Sequence, residues 1–248
     1  MKYIFLVAGK GSRLHPLTLD NPKSMFRLDK NTTLIERMVS LIKKHDPDAD
    51  IVIVTGHRHQ SIEQKLENVT FINNPFYEVT NSIASLWFAR QHLEAENVVL
   101  IDGDIVMSEK LIEDIVCRFT DKALVLVDSS INEDGDYNVQ VSDDRVLVMS
   151  KELNHYFGEY AGVTKLDRDS SLSMKREIES MVDNGYYDQW YENALVQMIF
   201  KDDFNLYYAD IADYDWTEVD DVSDLIHAKN IHMNEKCAEK NEKQSKNR

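Results

Sequence analysis

For about the first 130 residues the chain alternates short, continuous apolar runs with stripes of helical period, and no other feature restricts its fold so sharply. The apolar runs are Lys2 to Val7, Asp50 to His57, Asn68 to Asn74, Asn97 to Ile105 and Lys122 to Asp128. Helical stripes lie between them, at Leu34 to Ile42, Ser61 to Leu66, Asn81 to Leu93 and Glu109 to Arg118. An unbroken apolar strand is covered on both faces, as strands of parallel sheets are. Strands that alternate with helices are joined by right-handed crossovers. The expected fold class is therefore α/β: a mostly parallel, doubly wound, Rossmann-like sheet with helices on both faces.

Beyond residue 130 the pattern changes. "DYNVQVSDDRVLVMSKEL" predicts a hairpin with Asp143-Asp144 in its turn, a small antiparallel wing. "FGEYAGVTKLD" predicts another strand, and Ser170 to Val182 and Gln189 to Phe200 predict helices. A short strand, Trp216 to Asp220, feeds a final helix from Val222 to about Met233. The stretch 234–248, "NEKCAEKNEKQSKNR", is poor in apolar residues and is expected to be a frayed polar tail. With no linker or repeat, 1–233 is expected to be one domain.

In doubly wound sheets ligands lie at the carboxyl ends of the strands. Polar clusters fall at three such ends, Gly9–Arg13, Thr55–His57 and Asp102–Asp104, and should converge. The net charge of −16 excludes the basic stripe that a nucleic acid demands. Against that acidic background Lys10, Arg13 and Lys23 form a local knot of cations. A small anion, held by these cations and a metal, fits that contrast. Cys117 and Cys237 have no CxxC companion and fit neither a disulfide framework nor a zinc site. No apolar run approaches the ~18 residues of a membrane span. The first run is too short for a secretory signal, so a cytoplasmic protein is expected, a monomer or homodimer without membrane contact.

The knot of cations lies in "LVAGKGSRLHPLTLDNPK", Leu6 through Lys23. A GxxxxGK[ST] phosphate loop is excluded, since Leu14 and His15 stand where its second Gly-Lys would be. A GxGxxG fingerprint begins at Gly9 but meets Leu14 at its third glycine. The loop instead resembles the nucleotidyltransferase loop, whose pattern is AGxGSRLxPLTxxxPK, and that resemblance implies a bound triphosphate. Glycines let backbone N–H groups approach a triphosphate without obstruction. Arg13 is suited to the phosphates that leave as pyrophosphate, and Lys23 to the α-phosphate, where charge builds in the transition state. A carboxylate beside a triphosphate makes sense chiefly as a magnesium ligand. "IDGDI" supplies Asp104 just past a buried strand, and "WTEVDD" supplies Glu218 and Asp220, two apart and on one side of a strand.

These motifs, with "NPKSM", "VTGH", "TNSIASLW", "FGEYAGVTKL" and "WYENAL", resemble the nucleotidyltransferase superfamily over most of the chain. Within it the sequence is most similar to the small bacterial cytidylyltransferases that act on phosphocholine and 2-aminoethylphosphonate. The resemblance implies a GT-A-like fold and a Mg2+-dependent reaction in which CTP and an amine-bearing phosphate or phosphonate yield a CDP-conjugate and pyrophosphate. Leu6, Ala8, Gly9, Gly11, Ser12 and Arg13 would then hold the nucleotide, with Thr55 and Asp102 at neighbouring strand ends. Asn81, Ser82 and Ser85 lie where the base is read. Lys23 and Arg13 would be catalytic, and Asp104, Asp220 and Glu218 would hold the metal. Residues 1–130 would form the nucleotide-binding core, and 131–233 the acceptor-binding half with its metal strand.

Two acceptor classes remain. An ammonium group favours aromatic faces and carboxylates, which Glu159, Tyr160, Asp188, Trp190, Glu192 and Trp216 supply. A sugar-1-phosphate nucleotidyltransferase using UTP or dTTP is the alternative, and it predicts a pocket of hydroxyl-directed hydrogen bonds instead.

Overall fold

The first strand, β1 (Lys2–Val7), lies inside a nine-stranded sheet, third from one edge, and its side chains alternate between the two faces. The computed structural model describes every residue except 133–134, 203 and 247–248, and of 239 and 242–246 the backbone alone. Tyr3, Phe5 and Val7 face α1 (Leu34–His45), packing with Ile35, Met38 and Ile42. Thr33 caps that helix and completes a capping box with Glu36, an arrangement that contributes about 1 kcal/mol. Ile4 and Leu6 face the other way. They share a second core with α3 (Ser82–Phe88), α5 (Arg168–Asp183) and α6 (Glu192–Asp202) through Ile83, Leu86, Met174, Ile178 and Leu195. Helices on both faces are thus observed.

The strands β2 (Asp50–Thr55), β3 (Thr70–Asn73) and β4 (Asn97–Asp102) join β1 in parallel, in the order β3-β2-β1-β4; the short α2 (His59–Glu63) links β2 to β3. Beyond β4 the sheet is mixed, where a mostly parallel one was expected. β9 (Gly158–Asp167) inserts antiparallel between β4 and β6 (Leu124–Asp128). A strand buried on both faces carries no sequence mark of its direction, which is why the insertion was not foreseen. β10 (Tyr207–Asp210), absent from the expected elements, pairs in parallel with β6. The hairpin of β7 (Asn138–Ser142) and β8 (Arg145–Ser150) closes the far edge, with Asp143 in the left-handed region (φ 53°) at its turn.

The run Asn97 to Ile105 is not one strand. It breaks after Asp102, and Ile105–Met107, β5, leaves the sheet to pair antiparallel with β11 (Trp216–Glu218). α4 (Glu109–Leu111) follows β5 and widens into a π-type turn at Ile112–Val116. Gly103 permits the break: a Cβ there would lie 2.4 Å from Val7 Cγ1 and 2.6 Å from the Leu6 carbonyl oxygen.

The last helix, α7 (Val222–Lys246), runs past the expected end at Met233 into the stretch 234–248 expected to fray, of which 247–248 lie outside the described residues. Glu235 accepts from the buried Arg37 at 2.5 Å and from the Glu109 N–H at 2.6 Å, while His232 and Lys236 both contact Asp29. Long-range polar anchors of this kind leave no trace in an apolar period. Among the described residues, no helix is long and apolar enough to cross a membrane.

Candidate active site

Where β1 and β4 end, the chain leaves a cavity of about 340 Å³. Its floor is the loop after β1, in which Gly11 adopts φ 62°, a left-handed conformation suited to glycine. A Cβ on Gly11 would lie 2.7 Å from Lys23 Cγ, so the missing side chain also makes room for the lysine stem. Thr18 Oγ1 donates to the Gly11 carbonyl at 2.8 Å and ties the loop to the segment that carries Lys23.

The β4–β5 break places Asp104 against β11, where the Val219 N–H donates to the Asp104 carbonyl at 3.0 Å. Asp104, Glu218 and Asp220 consequently present carboxylate oxygens all within 4.8 Å of one another. Lys23, 9% exposed, lies among them: Nζ is 3.1 Å from Asp104 Oδ2 and also donates to Asp220 Oδ1. Arg13 pairs with Asp220 and, at 3.0 Å, with Asp136. Burial opposes the charge on Lys23, but the carboxylates of Asp104 and Asp220 outweigh it and hold the ammonium above its ordinary range. Burial, with the charges of Asp104 and Asp220 added, pushes Glu218 up to about 9. Three crowded oxygen donors suit a hard divalent cation, which would relieve that repulsion.

A second pair of carboxyls lies deeper. Burial, then the neighbouring Glu192, raises Asp102 well above the carboxylate range, and burial pushes Glu192 to about 7. Glu192 is 6% exposed and its Oε2 has no hydrogen-bond partner. A buried acceptor without a partner is destabilising by roughly 1–3 kcal/mol, an unusual state outside a binding site. The Trp190 ring stands nearby on the cavity wall.

The cavity thus gathers Leu6, Ala8, Gly9, Gly11, Ser12, Arg13, Lys23, Asn81, Ser82, Ser85, Asp102, Asp104, Trp190, Glu192 and Glu218. Asp220 reaches it through Lys23 and Arg13. Three expected residues stand apart. Thr55 is fully buried and turns its hydroxyl toward the Ile72 carbonyl at 3.4 Å. Tyr160 is buried in a hydroxyl network with Thr164 and Tyr191. Asp188 binds its neighbour Gln189 at 3.0 Å on an exposed turn. Glu159 and Trp216 line a different cavity, of about 560 Å³, on the far side of Arg13 and Glu218. There Trp216 Nε1 donates to Asp128 Oδ2 at 2.8 Å, and Glu159 accepts from the Asp136 N–H at 2.8 Å. Sequence reasoning missed Asp136, Tyr77 and Thr80. Asp136 sits in a polar stretch with no motif, 123 residues from the arginine it contacts.

Residues 3–163 match the family model of the MobA-like NTP transferase domain. The CTP:phosphoglutamine cytidylyltransferase of Campylobacter jejuni subsp. jejuni serotype O:2 is 24% identical over 251 residues, covering 91% of this chain and 98% of that protein. Among solved structures, the CTP:phosphocholine cytidylyltransferase of Streptococcus pneumoniae, LicC, superposes with a TM-score of 0.75 at 22% identity, covering 93% of this chain and 98% of its own. The inositol-1-phosphate CTP transferase of T. maritima follows with a TM-score of 0.72 at 18% identity, over 93% and 95% of the two chains. These superpositions show a shared GT-A-like fold. With the family model matched across most of its length, the chain belongs to the MobA-like NTP transferase family and is a nucleotidyltransferase.

Proposed function

We propose that the chain is a CTP-dependent cytidylyltransferase that joins CMP to a small amine-bearing phosphate or phosphonate and releases pyrophosphate. One observation carries this reading: a single cavity gathers Lys23 and two of three converging carboxylates, with the third bound to Lys23, together with Trp190 and a buried Glu192 whose Oε2 has no hydrogen-bond partner. Lys23 and the three carboxylates suit a metal-bound triphosphate, Glu192 and Trp190 an ammonium group. The names of the relatives support a cytidylyl donor, since the Campylobacter jejuni protein is a CTP:phosphoglutamine cytidylyltransferase. A sugar acceptor fits less well, because a buried acid and an aromatic ring meet the second substrate rather than an array of neutral hydroxyl partners.

The acceptor phosphate is already an oxyanion near neutral pH, so no general base has to create the nucleophile. Its oxygen attacks the α-phosphorus in line, a new P–O bond forms, and the bond to the β-phosphate breaks with its electron pair on pyrophosphate. Lys23 offsets the charge that builds on the α-phosphate oxygens, and Arg13 offsets that on the departing phosphates. Asp104, Glu218 and Asp220 would hold Mg2+, which when bound supplies positive charge to the phosphate oxygens. Gly9, Gly11 and Ser12 offer backbone N–H groups at the loop.

The test is a pyrophosphate-release screen of CTP, UTP, dTTP and ATP against phosphocholine, 2-aminoethylphosphonate, phosphoglutamine and glucose-1-phosphate. Turnover is expected with CTP and an amine-bearing acceptor. Turnover confined to UTP or dTTP with the sugar phosphate rejects the reading.

A further inference from the structure

Asn74 follows β3 and is completely buried, yet its side chain makes three hydrogen bonds to the segment after it. Oδ1 accepts from the Phe76 N–H at 2.9 Å. That bond fixes the amide orientation, so Nδ2 faces the opposite way and donates to Thr80 Oγ1 at 3.1 Å and Ser85 Oγ at 3.0 Å. The Thr80 hydroxyl passes its own hydrogen to the Phe76 carbonyl at 2.8 Å and is fully used. Ser85 differs. It is 3% exposed, it lines the nucleotide cavity, and among the described residues its hydroxyl has no acceptor. A hydroxyl that accepts an amide N–H on one side must direct its own O–H elsewhere, and here the cavity is what remains. Three residues earlier on the same helix face, Ser82 Oγ accepts from the Tyr191 N–H at 2.9 Å and is committed in the same sense.

We propose that Asn74 is a positioning residue that commits the Ser85 hydroxyl to donate a hydrogen bond to the nucleobase, so that the pocket selects a base edge made of acceptors. Cytosine offers an acceptor at N3, the position that decides, since the O2 acceptor is common to all three pyrimidines. Uracil and thymine carry an N–H at N3, and a donor facing a donor leaves both unpaired in a buried site. The inference rests on the cytidylyltransferase reading above.

A double-mutant cycle tests it, with Asn74→Asp, Ser85→Ala and the double variant. Aspartate keeps the shape and still accepts from Phe76, but it removes the donated N–H and offers Ser85 an acceptor. The serine hydroxyl should then turn to the carboxylate and leave the base. Calorimetry of CTP and UTP binding, with kcat and KM, reads the result. Each single variant is expected to weaken CTP binding roughly tenfold, kcat should stay within about twofold, and the double variant should be no weaker than Ser85→Ala alone. Additive losses, which a merely structural role of Asn74 would produce, overturn the proposal. So does an Asn74→Asp protein with unchanged CTP affinity. Ser85→Ala stands as an independent check if Asn74→Asp fails to fold: its CTP-to-UTP affinity ratio should fall roughly tenfold, and an unchanged ratio overturns the proposal. Wild-type protein that binds no CTP rejects the cytidylyltransferase reading and this inference together; wild-type binding with an additive cycle rejects this inference alone.

Discussion

The Lys23 ammonium lies 3.1 Å from Asp104 Oδ2 and bonds Asp220 as well, so a cation of the chain itself stands among the carboxylates proposed to hold a metal. A triphosphate gives that cation an alternative partner, and metal and nucleotide are therefore expected to favour one another's binding. Lys23→Met should tighten Mn2+ binding to the nucleotide-free protein roughly tenfold while lowering kcat at least ~100-fold. Mn2+ titration followed by electron paramagnetic resonance, beside steady-state kinetics, checks both effects. Weakened Mn2+ binding in the variant contradicts the shared-site account.

Glu192 gives the acceptor end a pH dependence. Burial raises its carboxyl to about 7, so it is mostly neutral below that pH and mostly charged above it. A cationic acceptor favours the charged form, and its KM should fall as pH rises from about 6 to about 8. Glu192→Gln should raise that KM roughly tenfold and flatten the profile while leaving the Kd for CTP within about twofold. A wild-type acceptor KM that stays constant over this range counts against the role.

Gly103 is a structural prediction with a functional edge. Its α-carbon hydrogen points at Val7 and the Leu6 carbonyl, and an added methyl would come within 2.4 Å of Val7 Cγ1. Gly103→Ala should destabilise the protein by about 1–3 kcal/mol, measured by urea unfolding, and should displace Asp104 enough to lower kcat. Wild-type stability and activity in this variant contradict the close-packed turn.

Asp29 anchors the second half of α7. Contacts from Lys236 and His232, with backbone N–H groups of Asn31 and Thr32, hold its carboxyl far below the ordinary carboxylate range. A depressed carboxyl stabilises the fold above its unfolded-state pKa, and that contribution is lost as pH falls below about 4 toward the folded-state value. Because the group lies near the surface, roughly 1 kcal/mol is expected. The substitution Asp29→Asn removes the charge and keeps the shape. At pH near 7 it should speed amide exchange around His232 and Lys236, and the difference from wild type should vanish in acid. Equal exchange rates at neutral pH refute the anchor.

Much of the site was legible because its loop is local: Gly11, Arg13 and Lys23 lie in one continuous motif, and Asp104 ends a recognisable strand. Thr55 shows the limit. Its position at a strand end is as expected, in register with Val7, yet its side chain faces the interior rather than the cavity. Tyr160 shares a β9 segment with the motif "FGEYAGVTKL", but its hydroxyl serves an internal network. Strand direction was equally hidden, since β9 reads as any buried strand and only its neighbours β4 and β6 reveal that it runs against them. Asp136 and the α7 anchors depend on contacts 123 and 198 residues apart in the chain, which no local pattern encodes.

Anomalous diffraction from crystals grown with Mn2+ and CTP tests the central claim most directly. The account predicts a manganese peak bounded by Asp104, Glu218 and Asp220, with the triphosphate on the Gly9–Arg13 loop and the Lys23 ammonium moved onto the α-phosphate. CTP in the cavity with manganese elsewhere, or with Lys23 still bound to Asp104 and Asp220, would contradict it.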